Sequence, residues 1–482
     1  MAVPSKSMMA AVAVTRFGLG ARPGELAAAS ADPQGWLRAQ IRSEGADLAL
    51  ANTDLSAQRV IAYREFRMTA QQARQERREM EAEAKSGQSM EEAAMAPERD
   101  PAQILRRQIR EGTAVDFLTR AQLGASTPAS FRERWALFWC NHFAVSATKG
   151  TTATLVGPFE QEAIRPRVFG RFEDMLIASS IHPAMLLYLD QAQSIGPNSR
   201  IGQALARRPN AQRRGGINEN LAREILELHT VGVNGGYSQA DVTEFARCLT
   251  GWSVAPPRER KNAGRFIFRE PAHEPGPRTI MGRRFPEDGV QQGVAVLKML
   301  AANPATARHV CTKIARHFTA DQAPPALVAS LEKAWLASDG NLGAVAGALI
   351  ASPAAWDPAP AKFKTPYEFI LSGYRMIGTQ PAAIQHISNP LNMMGQRAFS
   401  PPSPKGWPDE AAFWAPPDAL IKRMTWAERF AAVAAPSVDP KALAQGTLGD
   451  RLTAPVATAI ARAESRREAL ALLLMSPEFQ RR

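Results

Sequence analysis

Apolar residues along this chain recur at three- to four-residue intervals, the spacing of a helix face, and proline or glycine punctuates one such stretch from the next. Residues 103–123 and 131–143 carry the pattern strongly. In the second stretch Trp135, Phe138, Trp139 and His142 fall on one face, so His142 continues an aromatic stripe. Residues 173–189 read as helical with a fresh start at His182-Pro183, because proline suits a first helical position. Further helices are predicted over 218–230, 239–250, 289–301, 304–318, 325–337 and 341–351, then 363–377, 383–395, 417–434, 440–447 and 454–475.

Two regions depart from this pattern. Between 264 and 285, Phe266-Ile267-Phe268 and Thr279-Ile280-Met281 alternate around a proline-rich centre and predict one small β-hairpin. Between 57 and 100 the helix period persists but aliphatics are few and charges mixed (Arg64, Glu65, Arg67, Glu76, Arg77, Glu79), which predicts a solvated, protruding helix, loosely ordered around Ser86–Ser89. The expected fold class is all-α, a multi-helix assembly with that one hairpin. It forms a single large domain over 1–482, with residues 363–482 as a C-terminal helical subregion.

Composition narrows the function classes. Hydrophobic content of 45% and charged content of 22% belong to a folded globular chain rather than a disordered one. The excess of 58 Lys+Arg over 46 Asp+Glu is dilute over 482 residues. The basic loops 196–216 and 256–284 are poor in aromatics, so nucleic acid is an unlikely partner and single-strand stacking is disfavoured. Cys140, Cys248 and Cys311 are too few and too far apart for a disulfide framework or a zinc ribbon, and read as buried thiols. No run approaches the ~20 apolar residues of a membrane span. The apolar start Met8–Val14 is too short for a signal peptide, so the default compartment is the cytoplasm.

Candidate chemistry concentrates between Ile217 and His229, which hold three carboxylates, two amides, an arginine and a histidine. On a helix, Asn220, Arg223, Glu224, Glu227 and Thr230 share one arc while His229 projects with the apolar residues opposite. That removes the Glu-x-x-His geometry of di-iron bundles. The helix stops at Val231–Gly236, and Ser238 with Asp241 predicts a capped second helix. His309 and His317 are two turns apart, too far to share an ion, and Lys313 between them suggests a solvated basic stripe.

Asn218-Glu219-Asn220-Leu221-Ala222-Arg223-Glu224 through His229, followed by Gly235-Gly236-Tyr237, Asp241-Val242 and Leu249-Thr250-Gly251-Trp252, resembles the hallmark of the bacterial domain-of-unknown-function family 1800 (DUF 1800). Trp139-Cys140-Asn141-His142-Phe143, His182 to Asp190, Gly406-Trp407-Pro408 and Ser476-Pro477-Glu478-Phe479 fit the same family. Where the family shows His-Asp and then lysine, this chain has His273-Glu274 and Arg278. The resemblance implies no assigned activity. It implies instead a genomic neighbour, the phosphatase- and sulfatase-like domain-of-unknown-function family 1501, and export to the periplasm or cell envelope in many members.

Two readings follow. In the first, Glu224, Glu227 and Glu219 meet His142 and Asp190 in a catalytic site of hydrolase-like or metal-assisted type. Asn218, Asn220, Arg223, Tyr237 and Trp252 then contact substrate, and His273, His142 and Glu224 are the candidate ligands of a divalent metal. The same residues also suit a buried polar network, with Arg223 bridging Glu219 or Glu227. In the second reading the chain is a non-catalytic scaffold whose basic loops dock the phosphatase-like neighbour.

Overall fold

The structure, a computed structural model, describes residues 4–42, 56–85, 101–207, 216–259 and 261–482. It is mainly helical, and the helices begin where local chemistry places them. Pro304–Phe318 opens on proline after Asn303, whose side chain accepts the Ala305 N–H, and it buries Ala307, Val310, Cys311, Ile314 and Phe318 along one face. Gln239–Leu249 opens with a reciprocal Ser238–Asp241 capping box. The C-terminal stretch read as one helix over 454–475 is two, Ala454–Arg462 and Arg466–Met475, because Ser465 caps a new start at the Glu468 N–H.

At the centre lies Ser130–His142, with Phe131, Trp135, Phe138, Trp139 and His142 all buried. Trp135 meets Trp139 edge-on at 6.0 Å, and its indole N–H donates to the Val168 carbonyl over 2.7 Å. One continuous apolar core reaches from Val12 to Phe479. The two ends of the chain are tied into it by backbone and guanidinium bonds. Arg16 donates to the carbonyls of Ala355 and Ala359, and Lys362 exchanges backbone bonds with Arg482.

The β structure differs from the single hairpin expected at 264–285. Strand β1 (Trp252–Val254) pairs antiparallel with β2 (Phe266–Phe268), whereas β3 (Arg278–Ile280) pairs with β4 (Arg283–Phe285). The two alternating runs therefore belong to different sheets. The Met281-Gly282 turn, both residues at positive φ, brings the chain back on itself between β3 and β4 instead.

The charged helix spans Ser56–Lys85. Its first turns are anchored: Ala57 and Val60 are buried, Arg59 pairs with Asp116, and Arg64 donates to the Ala255 carbonyl over 2.6 Å. From Arg74 to Met80 every residue is exposed. The expected loose segment around Ser86–Ser89 lies outside the described residues. Among the described residues no helix is long and apolar enough to cross a membrane.

Candidate functional site

The segment singled out by the sequence forms an α-helix over Asn220–Glu224 that widens into a π-turn over Ile225–His229. A π-turn takes more residues per revolution, so it rotates everything after it relative to an ideal α-helix. Thr230, expected on the polar arc, is consequently buried and donates to the Ile225 carbonyl over 2.6 Å. Asn220, Arg223, Glu224 and Glu227 retain some exposure, and His229 is buried among aromatics as expected.

Glu219 is fully engaged. It accepts from Thr243 Oγ1 at 2.6 Å, from Gln239 Nε2 at 2.9 Å and from Arg223 Nη2 at 2.9 Å. These bonds, led by Thr243, hold its carboxyl below the usual range. Glu219 therefore ties this helix to Gln239–Leu249. Glu224 has the opposite surroundings. Burial raises its carboxyl pKa first, the Glu227 charge one turn on adds to that, and Arg223 only partly offsets them.

Two phenols belong to the same patch. Burial and then the Glu224 charge push Tyr188 up to about 12, and burial and then Glu227 raise Tyr237. Tyr188 was not singled out in the sequence, although it lies inside the His182–Asp190 motif. The structure brings that motif to the site: Asn218 Nδ2 donates to the Leu189 carbonyl over 3.2 Å, and its Oδ1 accepts the Asn220 N–H. Asp190, at positive φ, is a half-exposed partner of Lys149, whose ammonium also reaches the Tyr188 carbonyl at 2.7 Å. Glu227, Tyr188, Tyr237 and Arg223 thus all lie within electrostatic reach of Glu224.

His142, His273 and Trp252 lie elsewhere. His142 is buried, its Nε2–H donates to the His229 carbonyl over 3.1 Å, and its Nδ1 accepts from Lys313 at 2.9 Å. A carbonyl cannot donate, so this fixes the neutral Nε2–H tautomer. Burial and the Lys313 charge hold the ring far below its ordinary pKa. Lys313 itself is brought down to about 8 by burial. The basic stripe expected at His309, Lys313 and His317 is accordingly not a solvated one; these side chains turn inward and are only partly exposed. His273 is buried, with its Nδ1 donating to the Thr250 carbonyl over 3.0 Å. Its neighbour Glu274 accepts the Asn198 N–H and side-chain amide, so it anchors a loop. Trp252 is fully buried against Phe266, a core position rather than a substrate contact.

The candidate ligands His142, His273 and Glu224 are not brought together: among the described residues no group of three or more His, Cys, Asp or Glu side chains is placed to hold a metal ion. Of the basic loop proposed for docking, Arg208, Arg213 and Arg214 lie outside the described residues, and Arg207 is exposed.

Two other motif segments meet 266 residues apart in sequence. Asn141 Nδ2 donates to the Trp407 carbonyl at 3.0 Å while its Oδ1 accepts the Trp407 N–H at 2.7 Å. Gly406 sits at φ +85°, and a Cβ there would collide with the Asn141 carbonyl oxygen. This junction forms part of the wall of a cleft of about 110 Å³ that contains none of Glu219, Glu224 or Glu227.

The fold and site together define a large helical protein with a partly buried pair of glutamates and a separate cleft. The chain belongs to the family described as "Protein of unknown function (DUF1800)", which matches residues 12–481. No curated protein and no solved structure matches it.

Proposed function

We propose that the chain is a hydrolase-like enzyme whose acid–base pair is Glu224 and Glu227. One observation supports this above the others: Glu224 is partly buried beside a like charge, and its carboxyl is raised by both. Neighbouring Glu219 spends its lone pairs on structural bonds, whereas Glu224 is poised to keep or release a proton. In hydrolysis, protonated Glu224 donates its proton to the leaving group as the scissile bond breaks. Glu227 takes a proton from the attacking water as the new bond to oxygen forms. The hydroxyls of Tyr188 and Tyr237 donate hydrogen bonds to the substrate, and Arg223 and Asn218 frame its entry.

The test is turnover of a panel of p-nitrophenyl acetate, phosphate, sulfate and glycosides by the purified protein. A member that is turned over should lose about 10²–10⁴-fold in rate with Glu224→Gln, the usual contribution of a positioned acid or base. An unchanged rate in that variant, or no turnover of any member, contradicts the proposal.

A further inference from the structure

Beside the Asn141–Trp407 junction lies the cleft, and its lining has two characters. Phe117, Phe159, Phe399, Leu137, Val156 and Trp407 supply an apolar wall. Arg134 and Arg397 supply positive charge and hydrogen-bond donors. The three carboxylates that also line it are already engaged. Glu160 is paired with Arg120 at 2.7 Å; Glu368 is shared by Arg134 and Arg482; Asp409 faces His317 at 3.4 Å and Lys362 at 3.3 Å.

Donors are left over. Arg134 has a side chain only 1% exposed, and it donates from Nε to the Gly18 carbonyl and from Nη1 to Glu368. Its Nη2 is buried without a hydrogen-bond partner. Buried donors are rarely left unsatisfied, because each loses its hydration without recompense. Two guanidiniums converge on the single carboxylate of Glu368. Burial and then the Arg482 charge bring Arg134 down to about 10, so its cation is under-neutralised. Arg397 is exposed and makes no ion pair among the described residues. An acceptor carrying one negative charge would answer both.

Size decides what carries that charge. A closed cavity of about 150 Å³ accepts benzene, so an open cleft of about 110 Å³ seats one ring or a short chain. We propose that this cleft binds a small organic monocarboxylate with an aromatic or short aliphatic body. The body lies against Phe117, Phe159 and Phe399, and the carboxylate accepts from Arg134 Nη2, with Arg397 guiding it in. This site is separate from Glu224 and stands or falls independently of the proposed activity.

Calorimetric titration of the full chain with phenylacetate tests it, with phenethyl alcohol and inorganic phosphate as comparisons. Phenylacetate should bind at one site and raise the melting temperature, at least ten-fold more tightly than either comparison. Ala144→Phe, which fills the cleft from a buried lining position, should abolish binding. Arg397→Ala, at an exposed position where folding is not at stake, should weaken it at least three-fold, and Glu224→Gln should leave it unchanged. Absence of phenylacetate binding at 10 mM, a concentration far above the ~1 mM dissociation constants of weak ligands, overturns the proposal. So does equal affinity for the alcohol or for phosphate, or full binding by folded Ala144→Phe. Should Ala144→Phe fail to fold, unchanged affinity in Arg397→Ala overturns it instead.

Discussion

Glu219 and Glu224 stand on consecutive turns of one helix and have opposite surroundings: Thr243, Gln239 and Arg223 hold the first below the ordinary carboxylate range, while burial and Glu227 lift the second above it. Glu219 serves the fold, and in the proposed reading Glu224 serves the chemistry.

Glu224→Gln should therefore stabilise the protein near neutral pH. A carboxyl whose folded pKa exceeds its unfolded one binds more protons when folded between those values, so its ionisation erodes stability as pH rises through that window. Gln removes the charge and keeps the shape. Thermal melting at pH 7 should show an equal or higher midpoint than wild type; a clear fall would mark Glu224 as a structural anchor.

The Glu368 carboxylate makes the opposite prediction. Burial alone would raise it, but Arg134 and Arg482 more than reverse that, and Asp409 is brought down to about 2 beside His317 and Lys362. Depressed carboxylates contribute stability above their unfolded pKa, near 4, that is lost as pH falls toward 2. Glu368→Gln leaves two buried guanidiniums short of a counter-charge and should cost about 3–5 kcal/mol in denaturant unfolding at pH 7.

Buried histidines begin the loss of stability earlier. Burial, then Lys313, bring His229 to about 3 and His309 to about 4. The unfolded chain binds protons at these rings from about pH 6.5 downward, so stability declines as pH falls from there toward 3–4. His309→Gln should flatten that decline between pH 6.5 and 4; an unchanged slope would show that His309 is not buried as a neutral ring.

Asn141 and Gly406 form one joint, and their effects should not add. Gly406→Ala forces a side chain into positive φ and into the Asn141 carbonyl, a cost of about 2 kcal/mol or more. Asn141→Ala loses both bonds to Trp407, about 1–3 kcal/mol. The double variant should lose at least 0.5 kcal/mol less than the sum, as expected for contacting residues; strict additivity would mean that the joint does not act as a unit.

Much of the helical order was legible locally. Pro304–Phe318, Pro325–Ala337 and Pro417–Ala434 begin at prolines and carry one apolar face, so sequence spacing placed their ends closely. What depended on distant partners was not legible. Phe266–Phe268 pairs with Trp252–Val254 because of chain reversal through residues between them, which alternation cannot report. The π-turn at Ile225–His229 rotated Thr230 inward without any residue that announces it. Lys313 reads as solvated until His142, 171 residues away, is seen to accept from it. At the candidate site, periodicity was enough to separate Glu224 from His229. Tyr188 and the cleft arise from tertiary contacts and had no signal beyond lying in or beside the family motifs.

The central claim is that Glu224 holds its proton more tightly than an ordinary glutamate. Side-chain carboxyl resonances of ¹³C-labelled glutamate, followed through a pH titration and assigned with Glu224→Gln, measure this directly. The account predicts a midpoint for Glu224 clearly above the ~4.3 of an unperturbed glutamate, falling when Glu227→Gln removes the neighbouring charge. A midpoint at or below that ordinary value, insensitive to Glu227, would contradict it.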